Sequence, residues 1–392
     1  MVHYGGFNTR AVHSGELRDS RFGNVVTPIF ETTTFLHPND DNAAYIDATR
    51  GSPYLYTRWG NPTIQALEEK YSALENSNHA LAFSSGMGAI TSTVLSLTSS
   101  GSRILSLNEL YGQAHGFFSE ELPRYQIRTD FVPIDEINSL NFKLKDYAAV
   151  YVESITNPTM KVTDLVELSK FCNENNTPLV VDATFASPYN QKPLDLGCSV
   201  VIHSGTKYLS GHSDVTLGMV AASSAELHNR ILRMRTTLGP TMDPLQSYLA
   251  LRGIKTLGLR MEKHNRVALE VAKFLSQHKK VTGTFYPGLP DSKYHNIAKK
   301  VLTGFGGMLS FEVTGGLDGA KRLLKHIKIA SVAASLGGVD SLVSLPLETS
   351  HANIQRAERL KMGINDGLVR FSCGIEDPED LILDIESALA FV

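Results

Sequence analysis

The chain has 392 residues, 42% of them hydrophobic, with 37 Lys and Arg against 40 Asp and Glu for a formal net charge of −3. It exceeds the ~100–200 residues of one typical domain and can bury large cores, while its near-neutral balance speaks against a nucleic-acid or membrane-surface partner. Three widely spaced cysteines, Cys172, Cys198 and Cys373, make neither a disulfide framework nor a zinc site, and no signal core or apolar run of about 18 residues occurs, so a cytoplasmic protein is expected.

Residues 1–58 are rich in Thr, Asp, Asn and Gly with little periodicity, and are expected to form an extended arm that must pack on something. From 59 to 250, short apolar runs at 80–83, 103–107, 148–153, 179–182, 200–203 and 218–222 alternate with helical patterns. One such pattern is Ile64, Leu67, Tyr71 and Leu74, spaced to share one helix face. The alternation predicts βαβ units and a mostly parallel sheet. Beyond 250, a long helix through Arg260 and Val267, a strand at 307–313 and an amphipathic helix at 377–389 predict a smaller α/β domain, 251–392. No internal repeat is visible.

The most telling segment runs from Ser204 through Gly205, Thr206, Lys207 and Tyr208 at the end of an apolar run. A lysine amine can form an imine with the aldehyde of pyridoxal 5'-phosphate (PLP), and the Ser204 and Thr206 hydroxyls can both bond its phosphate. Alone, these residues also fit a polar surface loop. Upstream, 178–184 predicts a buried strand ending in Asp182, a carboxylate suited to pair with a protonated pyridine nitrogen. Both groups would leave the carboxyl ends of strands, where open α/β sheets bind ligands. The run 80–83, followed by Ser84, Ser85, Gly86, Met87 and Gly88, predicts a strand, a turn and a helix N-terminus, an anion cradle. A dinucleotide reading of those glycines fails, because Thr91 stands where the third glycine belongs. Tyr111 is a candidate to stack on a cofactor ring, and Asn157, following Glu153, to donate to the ring oxygen. Arg370, inside a strand-like 368–372, suits a substrate α-carboxylate.

These segments resemble the Cys/Met-metabolism, or trans-sulfuration, family of PLP enzymes, which includes cystathionine γ-lyase, cystathionine γ-synthase, methionine γ-lyase and the O-acylhomoserine sulfhydrylases. The likeness extends from Thr27-Pro28-Ile29 through Tyr56-Thr57-Arg58, Asn61-Pro62-Thr63, 84–87, Tyr111-Gly112, Asn157-Pro158, 182–188, 193–197 and 203–214 to Ser335-Leu336-Gly337-Gly338 and 369–376. It implies the aspartate aminotransferase-like fold (fold type I), with a mostly parallel central sheet, an N-terminal arm, a PLP-binding large domain at 59–250 and the smaller C-terminal domain. It implies a homotetramer, a dimer of dimers, in which Tyr56 and Arg58 of the arm reach the phosphate of the neighbour's cofactor. Cofactor binding is then expected at Lys207, Asp182, Thr184, Ser204, Thr206, Gly86, Met87, Tyr111 and Asn157. Substrate binding is expected at Arg370, Ser335 and Asn157. Lys207 anchors the cofactor and moves the Cα and Cβ protons, and Tyr111, made acidic by neighbouring positive charge, assists at the γ leaving group.

The expected reaction is γ-elimination on a sulfur amino acid, giving 2-oxobutanoate, ammonia and a thiol; γ-replacement is the alternative. Where cystathionine-handling members commonly have Glu, this chain has Ala334, and after Tyr111-Gly112 it has Gln113, Ala114, His115 and Gly116 where an Arg is often found. Methionine γ-lyases commonly place Cys where Gln113 sits, and Ala183 replaces a common Asn. A catalytically silent scaffold or an unrelated α/β binding protein remain readings of another class.

Overall fold

The computed structural model describes residues 5–36 and 54–392. In chain order its strands are β1 (Ala80–Phe83), β2 (Arg103–Leu107), β3 (Arg128–Val132), β4 (Ala149–Glu153), β5 (Leu179–Asp182), β6 (Val200–Ser204), β7 (Gly218–Ala222), β8 (Val281–Phe285), β9 (Met308–Val313), β10 (Ser331–Val332), β11 (Leu342–Ser344) and β12 (Leu368–Ser372). The chain forms two units, each from two stretches of sequence: residues up to 97 with 199–258, and 98–198 with 259–392.

In the first unit β7 pairs antiparallel with β1 on one side and β6 on the other. All of β1 and β7 is buried, as is all of β6 but Ser204. Such near-continuous apolar runs are what a sheet covered on both faces requires. The helix Pro62–Leu74 starts where the Asn61 side chain accepts the Thr63 N–H and Pro62 takes the first turn, where no amide is needed. Its Ile64, Leu67, Tyr71 and Leu74 are all buried, as their spacing predicts. The helix Ala225–Leu238 ends at Gly239 with φ 85, a left-handed conformation that glycine adopts without penalty.

The arm expected at 1–58 is partly outside the described residues, at 1–4 and 37–53. What is described is anchored. Phe7–His13 is a helix too short to show periodicity, and the buried Lys70 ammonium donates to the carbonyls of Ala11 and Val12 at 2.9 and 3.3 Å. Glu16 holds Lys70 at 3.1 Å and Lys255 at 2.9 Å.

In the second unit β5, β4, β2 and β3 lie in that order, all parallel. A five-stranded sheet in the order β10-β11-β12-β9-β8 is antiparallel except for its β10–β11 pair. Its core contains Leu309, Phe311, Val369 and Phe371 from the strands, Val267 and Val271 from the helix Leu257–Gln277, and Leu381 and Ile385 from the helix Pro378–Leu389. Each such side chain, fully buried, contributes about 1.5–3 kcal/mol. Four strands are absent from the sequence expectation. β3 and β8 are half-exposed and lack an apolar run, and β10 and β11 are two and three residues long.

Candidate functional site

The first unit carries an anion cradle. Ser85 stands at the start of the helix Gly86–Leu97, its Oγ accepting the Gly88 N–H at 3.0 Å and its carbonyl the Ala89 N–H at 3.1 Å. Because the first amides of a helix have no partner in its own ladder, Gly86 and Met87 present theirs outward at the positive end of the dipole. Ser204, the last residue of β6, lies against this turn: a Cβ on Gly86 would sit 3.0 Å from both Cβ and Oγ of Ser204. Two amides and a hydroxyl therefore lie together where a side chain on Gly86 would crowd the serine, a donor set that fits a phosphate.

Lys207 follows in a turn closed by its own N–H on the Ser204 carbonyl at 3.1 Å and by Gly211 N–H on the Lys207 carbonyl at 2.8 Å. The Thr206 hydroxyl is engaged with the backbone of Leu217, accepting its N–H at 2.8 Å and facing its carbonyl at 3.3 Å. It thereby ties the turn to the entry of β7, a structural task that Ser-x-Thr-Lys does not reveal by itself.

Tyr56 and Arg58 also belong to this unit. Both are exposed, Tyr56 to 38%. The Arg58 guanidinium rests over the rings of Tyr56 and Trp59 and donates to the Thr236 carbonyl at 2.7 Å. The pair is thus pre-assembled on the outside of its own chain.

The second unit carries the carboxylates and the second arginine. Asp182 ends β5, and its Oδ1 accepts both the Thr184 N–H at 2.9 Å and the Thr184 hydroxyl at 2.5 Å. Thr184 therefore orients the Asp182 carboxylate. Glu153 ends the neighbouring strand β4, in register with Asp182. Its Oε1 accepts the Tyr111 N–H at 2.6 Å and its Oε2 the Asn157 N–H at 3.0 Å. Burial, reinforced by the negative charge of Asp182, pushes the Glu153 carboxyl well above the usual range, with the two N–H bonds opposing.

Arg370, on β12 and only 5% exposed, donates to Asn157 Oδ1 at 3.2 Å and to the Ser335 carbonyl at 3.1 Å. Ser335 is held at φ 86. A non-glycine residue keeps such a conformation only where its surroundings impose it, a signature of functional loops. Asn157, Ser335 and Arg370 are thus brought together as the sequence leads one to expect, with the Tyr111 backbone tied to Asn157 through Glu153.

Tyr111 departs from expectation in one respect. Burial raises its phenol pKa, and the nearby Arg370 charge, which acts the other way, does not overcome it. Sequence reasoning gave Glu153 no role and missed His351, whose ring reaches the Leu110 carbonyl across 241 residues of sequence. No local pattern marks such a contact.

The mixed α/β fold is that of the fold type I PLP-dependent enzymes. The model of the Cys/Met metabolism PLP-dependent enzymes matches residues 8–390. The chain is 40% identical over 382 residues to cystathionine gamma-lyase of Dictyostelium discoideum, covering 97% of each chain. It is 40% identical over 388 residues to L-methionine gamma-lyase of Fusobacterium nucleatum subsp. polymorphum, covering 98% of each. The solved cystathionine gamma-lyase from Lactobacillus plantarum complexed with L-serine superposes with a TM-score of 0.93 at 34% identity, over 99% of each chain. The chain therefore belongs to the Cys/Met-metabolism family of PLP-dependent enzymes and is a carbon–sulfur lyase of that family.

Among the described residues no group of His, Cys, Asp and Glu could hold a metal ion, and no helix is long and apolar enough to cross a membrane.

Proposed function

We propose that this chain catalyses γ-elimination on sulfur amino acids of the methionine or cystathionine type, yielding 2-oxobutanoate, ammonia and a thiol. The observation that carries the reading is the Arg370 guanidinium beside Asn157 and the strained Ser335, on a chain about 40% identical to two γ-lyases. A planar cation there suits the carboxylate common to all amino-acid substrates. Ala334 and, in the loop after Tyr111-Gly112, Gly116 leave out charges that would recognise the polar far end of cystathionine or a succinylated homoserine. Their absence leaves a less charged distal pocket, which suits a less polar thioether and is shared with some sulfhydrylases, the γ-replacement alternative.

When bound, PLP supplies an electron sink for the negative charge that develops at the substrate's Cα and Cβ. Gly86, Met87 and Ser204 hold its phosphate. Thr206 secures the turn that carries Lys207 and is a further phosphate donor whenever its hydroxyl proton leaves the Leu217 carbonyl. Asp182, aimed by Thr184, would keep the ring nitrogen protonated, Asn157 would donate to the ring oxygen, and the Tyr111 ring would stack on the cofactor. Lys207 would anchor the cofactor through Nζ, and its amine would carry protons at the substrate's Cα and Cβ. Arg370, with Asn157 and Ser335, fixes the α-carboxylate. Tyr111 acts at the γ leaving group once the cofactor's positive charge adds to that of Arg370.

The exposed Tyr56 and Arg58 reach the phosphate of a neighbouring subunit in a homotetramer whose sites are shared. A cytoplasmic setting is supported by three buried cysteines that form no disulfide among the described residues. The test is a product assay with methionine, cystathionine, and O-acetylhomoserine plus sulfide, reading keto acid, ammonia and thiol. Keto acid and thiol from methionine or cystathionine are expected; turnover confined to O-acetylhomoserine plus sulfide would replace this reading with a sulfhydrylase. Borohydride reduction of the yellow holoenzyme should fix the cofactor to Lys207, and Lys207→Ala should abolish both fixation and turnover.

A further inference from the structure

The peptide unit between Leu110 and Tyr111 is gripped from both sides. On one side its carbonyl faces His351 Nε2 at 3.0 Å; on the other its N–H donates to Glu153 Oε1 at 2.6 Å. A carbonyl can only accept, so His351 carries its proton on Nε2, and Nδ1 is left to accept from the Ser350 hydroxyl at 2.8 Å. His351 is 1% exposed and Glu153 5% exposed. Burial holds the His351 imidazolium down to about 4, so the ring is neutral in this role. The next residue, Gly112, lies so close to the Ser350 carbonyl that a Cβ there would be 1.9 Å from its oxygen. Backbone contacts this tight leave the Tyr111 main chain one position.

The grip extends further. The second oxygen of Glu153 holds the Asn157 N–H, and the Asn157 side chain accepts from Arg370. One buried carboxylate thus fixes both the residue expected at the leaving group and the residue that steadies the carboxylate clamp.

We propose that Glu153 and His351 are positioning residues that hold Tyr111 in register with the Asn157–Arg370 clamp by fixing the Leu110–Tyr111 peptide from opposite sides. Neither touches the reacting atoms, and the inference rests on the roles given above to Tyr111 and Arg370. It predicts a selective defect. Proton removal at Cα, assigned to Lys207, feels this peptide only indirectly, through the stacked Tyr111 ring and the Asn157–Arg370 clamp, whereas assistance at the γ leaving group depends on it directly. A misplacement of about 1 Å in a catalytic group costs roughly a hundredfold in rate.

The experiment uses holoenzyme variants Glu153→Gln and His351→Leu, with Glu153→Asp and His351→Gln as conservative partners. Gln at 153 keeps the volume but offers one acceptor where two N–H groups need one each; Gln at 351 keeps a donor near Nε2. Three quantities are read: solvent deuterium entering the substrate's Cα by NMR, keto-acid release, and amide exchange by mass spectrometry in the same chains stripped of cofactor. In Glu153→Gln and His351→Leu, keto-acid release should fall about a hundredfold while deuterium still enters Cα. Amides at 108–116 should exchange faster in both variants, and those at 154–160 in the Glu153 variant alone. His351→Gln should recover much of the lost release. Normal keto-acid release in either variant, or equal loss of Cα exchange and release, would overturn the proposal. If His351→Leu does not fold, His351→Gln against Glu153→Gln still decides, since both keep side-chain volume. A wild-type enzyme without PLP-dependent Cα exchange would instead defeat the functional reading, leaving the amide-exchange comparison to judge the grip.

Discussion

Gly86 and Ser204 approach closely: a Cβ on Gly86 would lie 3.0 Å from both Cβ and Oγ of Ser204, so the serine would have to give by a few tenths of an ångström. The contact joins the start of a helix to the end of β6, and it places the serine hydroxyl beside the helix's open amides. Gly86→Ala should push Ser204 aside and weaken PLP binding about tenfold, a loss of one charge-assisted hydrogen bond, without unfolding the chain. Titration of the stripped protein with PLP, read by visible absorbance and by a thermal melt without cofactor, checks both parts. Unchanged affinity would remove this cradle from the phosphate site.

Asp182 is aimed by two bonds from Thr184 to a single oxygen. Asp182→Asn should retain cofactor but lose roughly a hundredfold or more in turnover, because a neutral partner cannot hold the ring-nitrogen proton. Thr184→Val, which removes only the hydroxyl bond, should show a smaller loss in the same direction. Cofactor content after gel filtration and initial rates distinguish the two effects. An Asp182→Asn enzyme at full rate would end the electron-sink assignment.

Arg58 and Tyr56 stand exposed, stacked together and held to the Thr236 carbonyl. If they serve a neighbour, Arg58→Ala and Lys207→Ala, each nearly inactive, should partly restore activity when refolded together. In a mixed dimer one site collects both defects and the other none. Hybrid formation is verified by native mass spectrometry. Confirmed hybrids no more active than their parents would place Arg58 in its own chain's structure.

Lys70 ties the arm to the body of its unit, and burial lowers its pKa from 10.5 to about 8. Between those values the unfolded chain binds more protons than the folded one, so stability rises with pH there. Relative to Lys70→Met, the wild-type protein should gain on the order of 2 kcal/mol between pH 8 and 10.5, part of the ideal shift being lost to relaxation around Glu16. Urea titrations of both proteins at several pH values measure the difference. A difference independent of pH would mean that Lys70 is not held in a shifted state.

Much of this protein is legible in its sequence because the information is local. Continuous apolar runs mark β1, β2, β4, β5, β6 and β7, since a strand covered on both faces must be apolar throughout. The 3-4-3 spacing of Ile64, Leu67, Tyr71 and Leu74 specifies a helix face. Lys207, Asp182 and the Gly86 turn announce a PLP enzyme because imine formation, pyridinium pairing and phosphate binding each demand one residue type at the end of a strand or the start of a helix. Only the tertiary structure decides what those residues touch. Thr206 secures Leu217 and Thr184 aims Asp182 over short stretches of chain, whereas Glu153 and His351 hold one peptide from 42 and 241 residues away. Hydrogen bonding to a backbone amide or carbonyl leaves no trace in the identity of the residue that supplies it. The balance at the Tyr111 phenol, where burial outweighs Arg370, likewise depends on solvent exclusion by distant parts of the chain, a property of the fold and not of neighbours in sequence.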